Sequence, residues 1–257
     1  MTKKLWQASL SQKKNSNLFA FENYISKKFN KKFNNDFQKI LDWSIKNSPD
    51  FWSSFWDFTK INGIKSSKKI KKSKVFYKNL FLPGSKLNFA NNLLAKNDKK
   101  KAVTFISENG FREERSWQKL NENTNRLVQF LENKKINQRD RVAAYMPNTI
   151  ENVEAFISTS AIGAIWSSCS PDFGVNGVIE RFSQINPKIL FITDQYFYNG
   201  KKINIIDRLP EILKAILSIK NVVITSYPGK SFLKQKKKIN RVKITKWVEL
   251  MKTNTKE

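Results

Sequence analysis

Arg141-Val142-Ala143-Ala144-Tyr145-Met146 and Ile189-Leu190-Phe191-Ile192 decide how this chain is read. Each run is too short for a buried helix and too continuously apolar for a strand with one wet face. Such runs suit strands covered on both sides, as in a parallel sheet. Between them lies a stretch of different period. Ile150, Val153, Ile157, Ala161 and Ala164 recur at helical spacing, and Asn148 with Glu151 three residues on has the form of a capping box. Ile165–Ser168 is a further short strand, and Asn176 opens a helix carrying Val178, Ile179, Phe182 and Ile185, which Pro187 ends.

The alternation extends both ways. Upstream, Ala102–Ile106 reads as a strand and Asn109-Gly110 as a hairpin turn into Phe111–Arg115. Ser116 then caps a helix bearing Leu120, Leu127, Phe130 and Leu131. Downstream, Pro210 suits the first turn of a helix with Ile212, Leu213, Ile216 and Leu217. Val222-Val223-Ile224 is another buried strand, ended by Pro228-Gly229. Strand–helix–strand units with short connections require right-handed crossovers and a mainly parallel, doubly wound α/β sheet.

Residues 1–98 read differently, as a helical, aromatic-rich region. Ser16 or Asn17 caps a helix carrying Leu18, Phe21, Tyr24, Ile25 and Phe29. A second helix starts at Asp36 and stops before Pro49. Phe51/Phe55 and Trp52/Trp56 repeat an aromatic face that reads as core packing. Lys65–Lys74 is a loop, Leu82-Pro83-Gly84-Ser85 a turn, and Asn88 to Leu94 a short helix. The organisation is thus 1–98 helical and 99–257 α/β.

The 257 residues carry 48 Lys and Arg against 21 Asp and Glu, a net charge of +27, with no His and one Cys. Without His there is no Ser-His-Asp or Cys-His triad and no imidazole acid–base chemistry. A lone Cys169 closes no intrachain disulfide and builds no Cys-rich zinc site, so a reducing, cytoplasmic compartment is the default. Met1-Thr2-Lys3-Lys4 is basic, but no apolar segment follows it. The uncharged Ala155–Pro171 stretch is too short and too rich in Ser to span a bilayer, which takes roughly 20 apolar residues.

Strong basicity invites a nucleic-acid reading. Its distribution opposes that. One run spans Lys65–Lys74 and another Lys230–Lys246, whereas Asp140–Asp194 holds Asp140, Glu151, Glu154, Asp172, Glu180 and Asp194 against only Arg141, Arg181 and Lys188. The regular part of the chain is slightly acidic, and the lysines read as a solvated surface.

Ligands of such sheets bind beyond the carboxyl ends of the strands, here near Met146-Pro147-Asn148, Ser168-Cys169-Ser170, Thr193-Asp194 and Thr225-Ser226. No GxxxxGK[ST] or GxGxxG loop is present. Asp172, Glu180 and Asp194 have the chemistry of Mg²⁺ ligands but read as caps complementing helix dipoles. Cys169 reads as a small buried residue, since no cation adjoins it in sequence. The most site-like segment is Asp194-Gln195-Tyr196-Phe197-Tyr198-Asn199-Gly200-Lys201-Lys202, which follows a buried strand and combines aromatic faces, a flexible Gly and two cations. Those are the parts that a phosphate with a stacked base requires; an ordinary strand-to-helix loop with solvated lysines is the other reading.

Several longer phrases carry a family resemblance. Asp140–Asn148 looks like the N-terminal part of an acyl-CoA synthetase of the adenylate-forming superfamily. Ala161-Ile162-Gly163-Ala164-Ile165-Trp166-Ser167-Ser168-Cys169-Ser170-Pro171-Asp172-Phe173-Gly174-Val175 resembles the acetoacetyl-CoA synthetase family more narrowly. So do Arg181–Lys188, Tyr198-Asn199-Gly200-Lys201, Leu5-Trp6-Gln7, Phe81–Gly84 and Leu87–Ala90. The resemblance is collinear over nearly the whole chain.

The resemblance implies an acid–thiol ligase. ATP activates acetoacetate as an acyl-adenylate and releases pyrophosphate; CoA then displaces AMP to give acetoacetyl-CoA, with Mg²⁺ and Lys offsetting phosphate charge. It also implies that Tyr198, Asn199, Gly200 and Lys201 contact the nucleotide portion of CoA. The acetyl-CoA relatives carry Arg where Tyr198 and Lys201 stand; Lys201 keeps the charge without the bidentate fork, and Tyr198 does not. The family's Ser/Thr/Gly-rich phosphate loop, its adenine, ribose and Mg²⁺ motifs and its catalytic Lys have no match here. No catalytic or metal-binding residue is therefore assigned. The chain reads as an amino-terminal portion that is inactive alone, completed in cis or by a separate chain. A CoA-binding remnant and a polyanion binder are the other readings.

Overall fold

The computed structural model describes residues 5–227 and 241–252. The Met1-Thr2-Lys3-Lys4 start, the Pro228-Gly229 strand ending and most of the second lysine run lie outside the described residues. The chain divides into two compact units, Met1–Leu87 and Asn88–Glu257.

In the first unit, local capping sets the helices. Helix α1 (Leu10–Lys14) starts from a capping box formed by Ser9 and Gln12. Ser16, and not Asn17, caps α2 (Asn17–Phe29), its hydroxyl accepting from the Phe19 amide, and the helix ends on left-handed Asn30. Asp36 caps α3 (Phe37–Lys46), and Pro49 sits in the first turn of α4 (Ser48–Phe58), where its missing N–H costs nothing. Phe21, Ile25, Phe33, Ile40 and Trp43 form the core. Phe51 and Phe55 meet Phe21 at 5.8 Å and 5.9 Å and Trp56 is buried, whereas Trp52 and the outer side of Phe55 stay exposed, so this aromatic face packs in part. Two short antiparallel ladders follow, β1 (Gly63–Ile64) with β4 (Lys86–Leu87), and β2 (Ile70–Lys71) with β3 (Leu80–Phe81). The lysine-rich segment is therefore a tied excursion instead of a free loop. Lys65 bonds Asp57 at 2.6 Å and Lys69 bonds Asp50 at 2.6 Å.

The second unit opens with α5 (Phe89–Leu93), capped by Asn88, whose side chain also donates to the Ala161 carbonyl at 2.8 Å. The hairpin β5 (Lys101–Ile106)–β6 (Arg112–Ser116) leads into α6 (Trp117–Asn133), capped by Ser116 as expected. Then come β7 (Arg141–Tyr145), α7 (Ile150–Ala161), β8 (Ile165–Cys169), α8 (Val175–Ile185), β9 (Ile189–Thr193), β10 (Gln195–Tyr198), β11 (Lys201–Asn204), α9 (Leu209–Ala215), β12 (Asn221–Thr225), β13 (Lys243–Lys246) and α10 (Trp247–Leu250).

Five strands form one sheet in the order β13-β12-β9-β7-β8, and all its pairings are parallel. Side chains alternate between two cores, as the strand period dictates. Ala143, Tyr145, Leu190, Ile192, Val222 and Ile224 face α8 and α9. Val142, Ala144, Met146, Ile189, Phe191 and Val223 face α6, α7 and α10. Every residue of β9 is buried. The doubly wound parallel sheet after a helical region is thus observed.

Two helix starts differ from the sequence reading. α7 takes Thr149, not Asn148, at its cap position and has no side-chain cap bond. α8 begins at Val175 with Gly174 as its cap residue.

Candidate functional site

Strand β7 is made first, β8 pairs on one side of it and β9 on the other. The chain thus reverses direction across the sheet between β7 and β9, and at such a switch the loops diverge and leave a crevice. A cavity of about 300 Å³ lies at this end of the sheet. Its wall comes from the end of β7 and the start of α7 (Met146, Pro147, Asn148, Asn152), from the end of β8 and the turn beyond it (Ser168–Asp172), and from β10 (Tyr196–Tyr198). Asn148, released from the capping role, belongs to this wall. Among the described residues, no Lys or Arg lines it. Its chemistry is that of amides, hydroxyls, aromatic faces and one carboxylate.

The turn Ser170–Gly174 is held by a network. Asp172 accepts from the Ser170 hydroxyl at 2.7 Å and from the Tyr196 hydroxyl at 2.8 Å. Burial, and then that bond to Asp172, push the Tyr196 phenol up to about 12. Tyr145, rooted in the core, donates to the Phe173 carbonyl at 2.5 Å. Arg208 Nη1 donates to the Tyr145 hydroxyl and to the carbonyls of Pro171 (3.2 Å) and Phe173 (3.1 Å). The Arg181 guanidinium stacks on the Phe173 ring at 4.3 Å. Cys169, which directly precedes the turn, is buried, and burial raises its thiol pKa.

Asp194-Gln195-Tyr196-Phe197-Tyr198-Asn199-Gly200-Lys201-Lys202 is not a strand-to-helix loop. It is the hairpin β10–β11, with Tyr198 directly opposite Lys201. Asn199 (φ 50°) and Gly200 (φ 70°) are both left-handed, the backbone that a two-residue hairpin turn requires. The Gly200 amide donates to Glu108 at 2.6 Å. Opposed residues share one face of a ladder, so Lys201 lies on the face of Tyr198, a residue of the cavity wall. Asn199 and Gly200 form the tip and do not line it.

Asp194 fixes the root of the hairpin. Its carboxylate accepts from the Tyr227 amide at 2.8 Å, and its carbonyl accepts from the amides of Ile205 and Ile206. Asp172, Glu180 and Asp194 do not come together, and none caps a helix. Among the described residues, no group of three His, Cys, Asp or Glu side chains is placed to hold a metal ion, so this donor set does not fit Mg²⁺. Among the described residues no helix is long and apolar enough to cross a membrane.

Tyr145, Asp172, Tyr196 and Arg208 do not stand out as one group in the sequence. Tyr196 lies 24 residues from Asp172 and Arg208 lies 63 from Tyr145, so no local spacing marks these pairs. The one available signal was their place near strand ends.

The class follows from comparison with known families. Residues 91–253 match the model for "AMP-binding enzyme", and the chain belongs to that family. Within it, the chain is similar to the acetoacetyl-coenzyme A synthetase of Rhizobium meliloti (strain 1021), 34% identical over 227 residues, covering 88% of this chain and 34% of that protein. The acetoacetyl-CoA synthetase of Gallus gallus is 34% identical over 201 residues, covering 75% of this chain and 29% of its own. The solved acetoacetyl-CoA synthetase from Streptomyces lividans shares the fold, with a TM-score of 0.87 at 22% identity over 99% of this chain and 39% of that one. The chain spans about a third of the length of the curated relatives it matches.

Proposed function

We propose that this chain is the amino-terminal portion of an ATP-dependent acetoacetate–CoA ligase and that its cavity and β10–β11 hairpin receive the nucleotide end of CoA. The observation that carries this reading is the pairing of Lys201 with Tyr198, a residue of the wall of a cavity that no Lys or Arg lines among the described residues. An aromatic ring and neutral hydrogen-bonding groups suit a purine base, and a lysine just outside suits its phosphates as a point charge. Asn199 and Gly200 supply the tight turn that brings the two together.

The overall reaction converts acetoacetate, ATP and CoA to acetoacetyl-CoA, AMP and pyrophosphate. A carboxylate resists thiol attack because oxide is a poor leaving group, whereas AMP leaves readily from the mixed anhydride. The groups present here bind and orient. None of them has the donor set for phosphate-loop or Mg²⁺ chemistry, so ATP activation is assigned to a further segment, in the same polypeptide or a separate one. The compartment is cytoplasmic, where Cys169 stays a thiol.

Calorimetric titration with CoA tests the binding half. Wild type should bind, and Lys201→Ala should bind about ten-fold more weakly, as loss of a charged phosphate contact implies. No heat from wild type overturns the CoA reading. Incubation with ATP, acetoacetate and CoA should release no AMP; release would overturn the division of labour.

A further inference from the structure

The turn Ser170–Gly174 gives Ser170, Pro171 and Asp172 to the cavity wall and is itself neither strand nor helix, so no backbone ladder fixes its place. Two of its carbonyls, those of Pro171 and Phe173, converge instead on one nitrogen of Arg208, together with the Tyr145 hydroxyl. The Tyr145 hydroxyl in turn donates to the Phe173 carbonyl. Arg208 precedes α9, well over thirty residues beyond the turn, on a segment anchored at Asp194 through the amides of Ile205 and Ile206. Bonds within the turn, from the Phe173 amide to the Ser170 carbonyl and from the Ser170 hydroxyl to Asp172, set its bend, and Arg208 with Tyr145 ties that bend to the rest of the domain. A guanidinium facing two carbonyls and a phenol makes charge-assisted bonds, the strong kind, and it is half-buried, where competition from water is weak.

We propose that Arg208, through Tyr145, is a positioning residue that latches the Ser170–Gly174 turn in place, keeping the cavity formed and Cys169 covered before any ligand arrives. This extends the CoA-nucleotide reading of the same cavity and rests on it for its use. The latch itself needs no ligand.

Cys169 is the only cysteine, is buried, belongs to the cavity wall and directly precedes the turn, so its labelling by a disulfide thiol reagent reports opening. Rates would be compared in wild type, Arg208→Gln, Arg208→Lys and Tyr145→Phe, from zero to low urea. Arg208→Gln and Tyr145→Phe should each label about ten-fold faster or more, and Arg208→Lys should recover part of the protection. The rates should stay flat in low urea, because a local opening exposes little surface. Unchanged rates in both variants would overturn the latch. So would rates that climb with urea as steeply as those of the core variant Leu190→Ala, since that pattern marks global unfolding. Tyr145→Phe keeps its buried ring and carries the test alone if Arg208→Gln does not fold. A parallel arm adds desulfo-coenzyme A, which lacks a competing thiol. Protection of wild type by it supports the CoA reading; fast variants without such protection leave the latch standing and remove the CoA reading.

Discussion

Replacing Glu154 by Gln should make the second unit more stable in mild alkali while leaving it nearly unchanged at pH 5. The Glu154 carboxyl is fully buried on α7. One oxygen takes both of its partners, Arg115 Nε at 2.9 Å and Asn123 Nδ2 at 2.8 Å, and the other oxygen has none. Arg115 also bonds Glu113 at 2.9 Å, so it stays compensated when Glu154 is neutral. Burial outweighs the attraction of Arg115 and raises the Glu154 pKa from 4.5 to about 7. Glu151, one turn earlier, is shifted in the same direction by burial. A carboxyl whose folded pKa is raised gives its full stabilisation below its unfolded pKa and loses it as pH rises through the folded one. For a shift from 4.5 to about 7, wild type should lose about 2–3 kcal/mol between pH 5 and pH 8.5 from this group. A glutamine at this position would keep the acceptor for Arg115 and Asn123 without the buried charge. Urea unfolding at several pH values reads the difference directly. If the variant and wild type run parallel from pH 5 to 8.5, or wild type gains on the variant in alkali, the burial argument is wrong.

Other perturbations probe separate layers. Leu190→Ala removes a fully buried side chain from the central sheet and should cost about 2–5 kcal/mol in urea unfolding. Gly200→Val puts a β-branched residue at a φ of 70° and should cost about 1–2 kcal/mol while weakening CoA binding. Asp140 is drawn upward by burial, but its bonds from Lys188 and the Asn137 amide win and hold it below its ordinary value. Its contribution should be present at neutral pH and lost as pH falls through the carboxylate range, an effect that Lys188→Ala should reduce without abolishing, because the Asn137 amide still donates to Asp140 at 2.9 Å. Duplex DNA should be held only at low salt and released steeply as salt rises; retention at moderate salt would revive the polyanion reading.

The sheet was legible because its evidence is local. Val142–Met146 and Ile189–Ile192 are buried on both faces and leave no ambiguity of period, and Ser16, Asp36 and Ser116 announce their helices by capping chemistry. The hairpin β10–β11 shows in the sequence only through its Asn199-Gly200 turn, because its strands are four residues each and Lys201-Lys202-Ile203-Asn204 has too little apolar alternation to mark a strand. β13 holds Ile244 between lysines and a threonine, too little apolar content to mark a strand. The site was legible only in part. Tyr198 could be placed by resemblance, whereas Arg208 and Tyr145 acquire a role only when folding brings the Phe173 carbonyl between them.

The strand order also bears on how the sheet is assembled during synthesis. Its first strand to emerge is β7, and each later strand can add beside one already laid down: β8 to one flank, β9 to the other, then β12 and β13 outward. None of these strands has to be inserted between two existing neighbours. The pairing of β9 with β7 spans the longest stretch of intervening chain, and closing that loop carries the largest entropic cost among the sheet contacts. It is the step at which a growing chain commits to this topology.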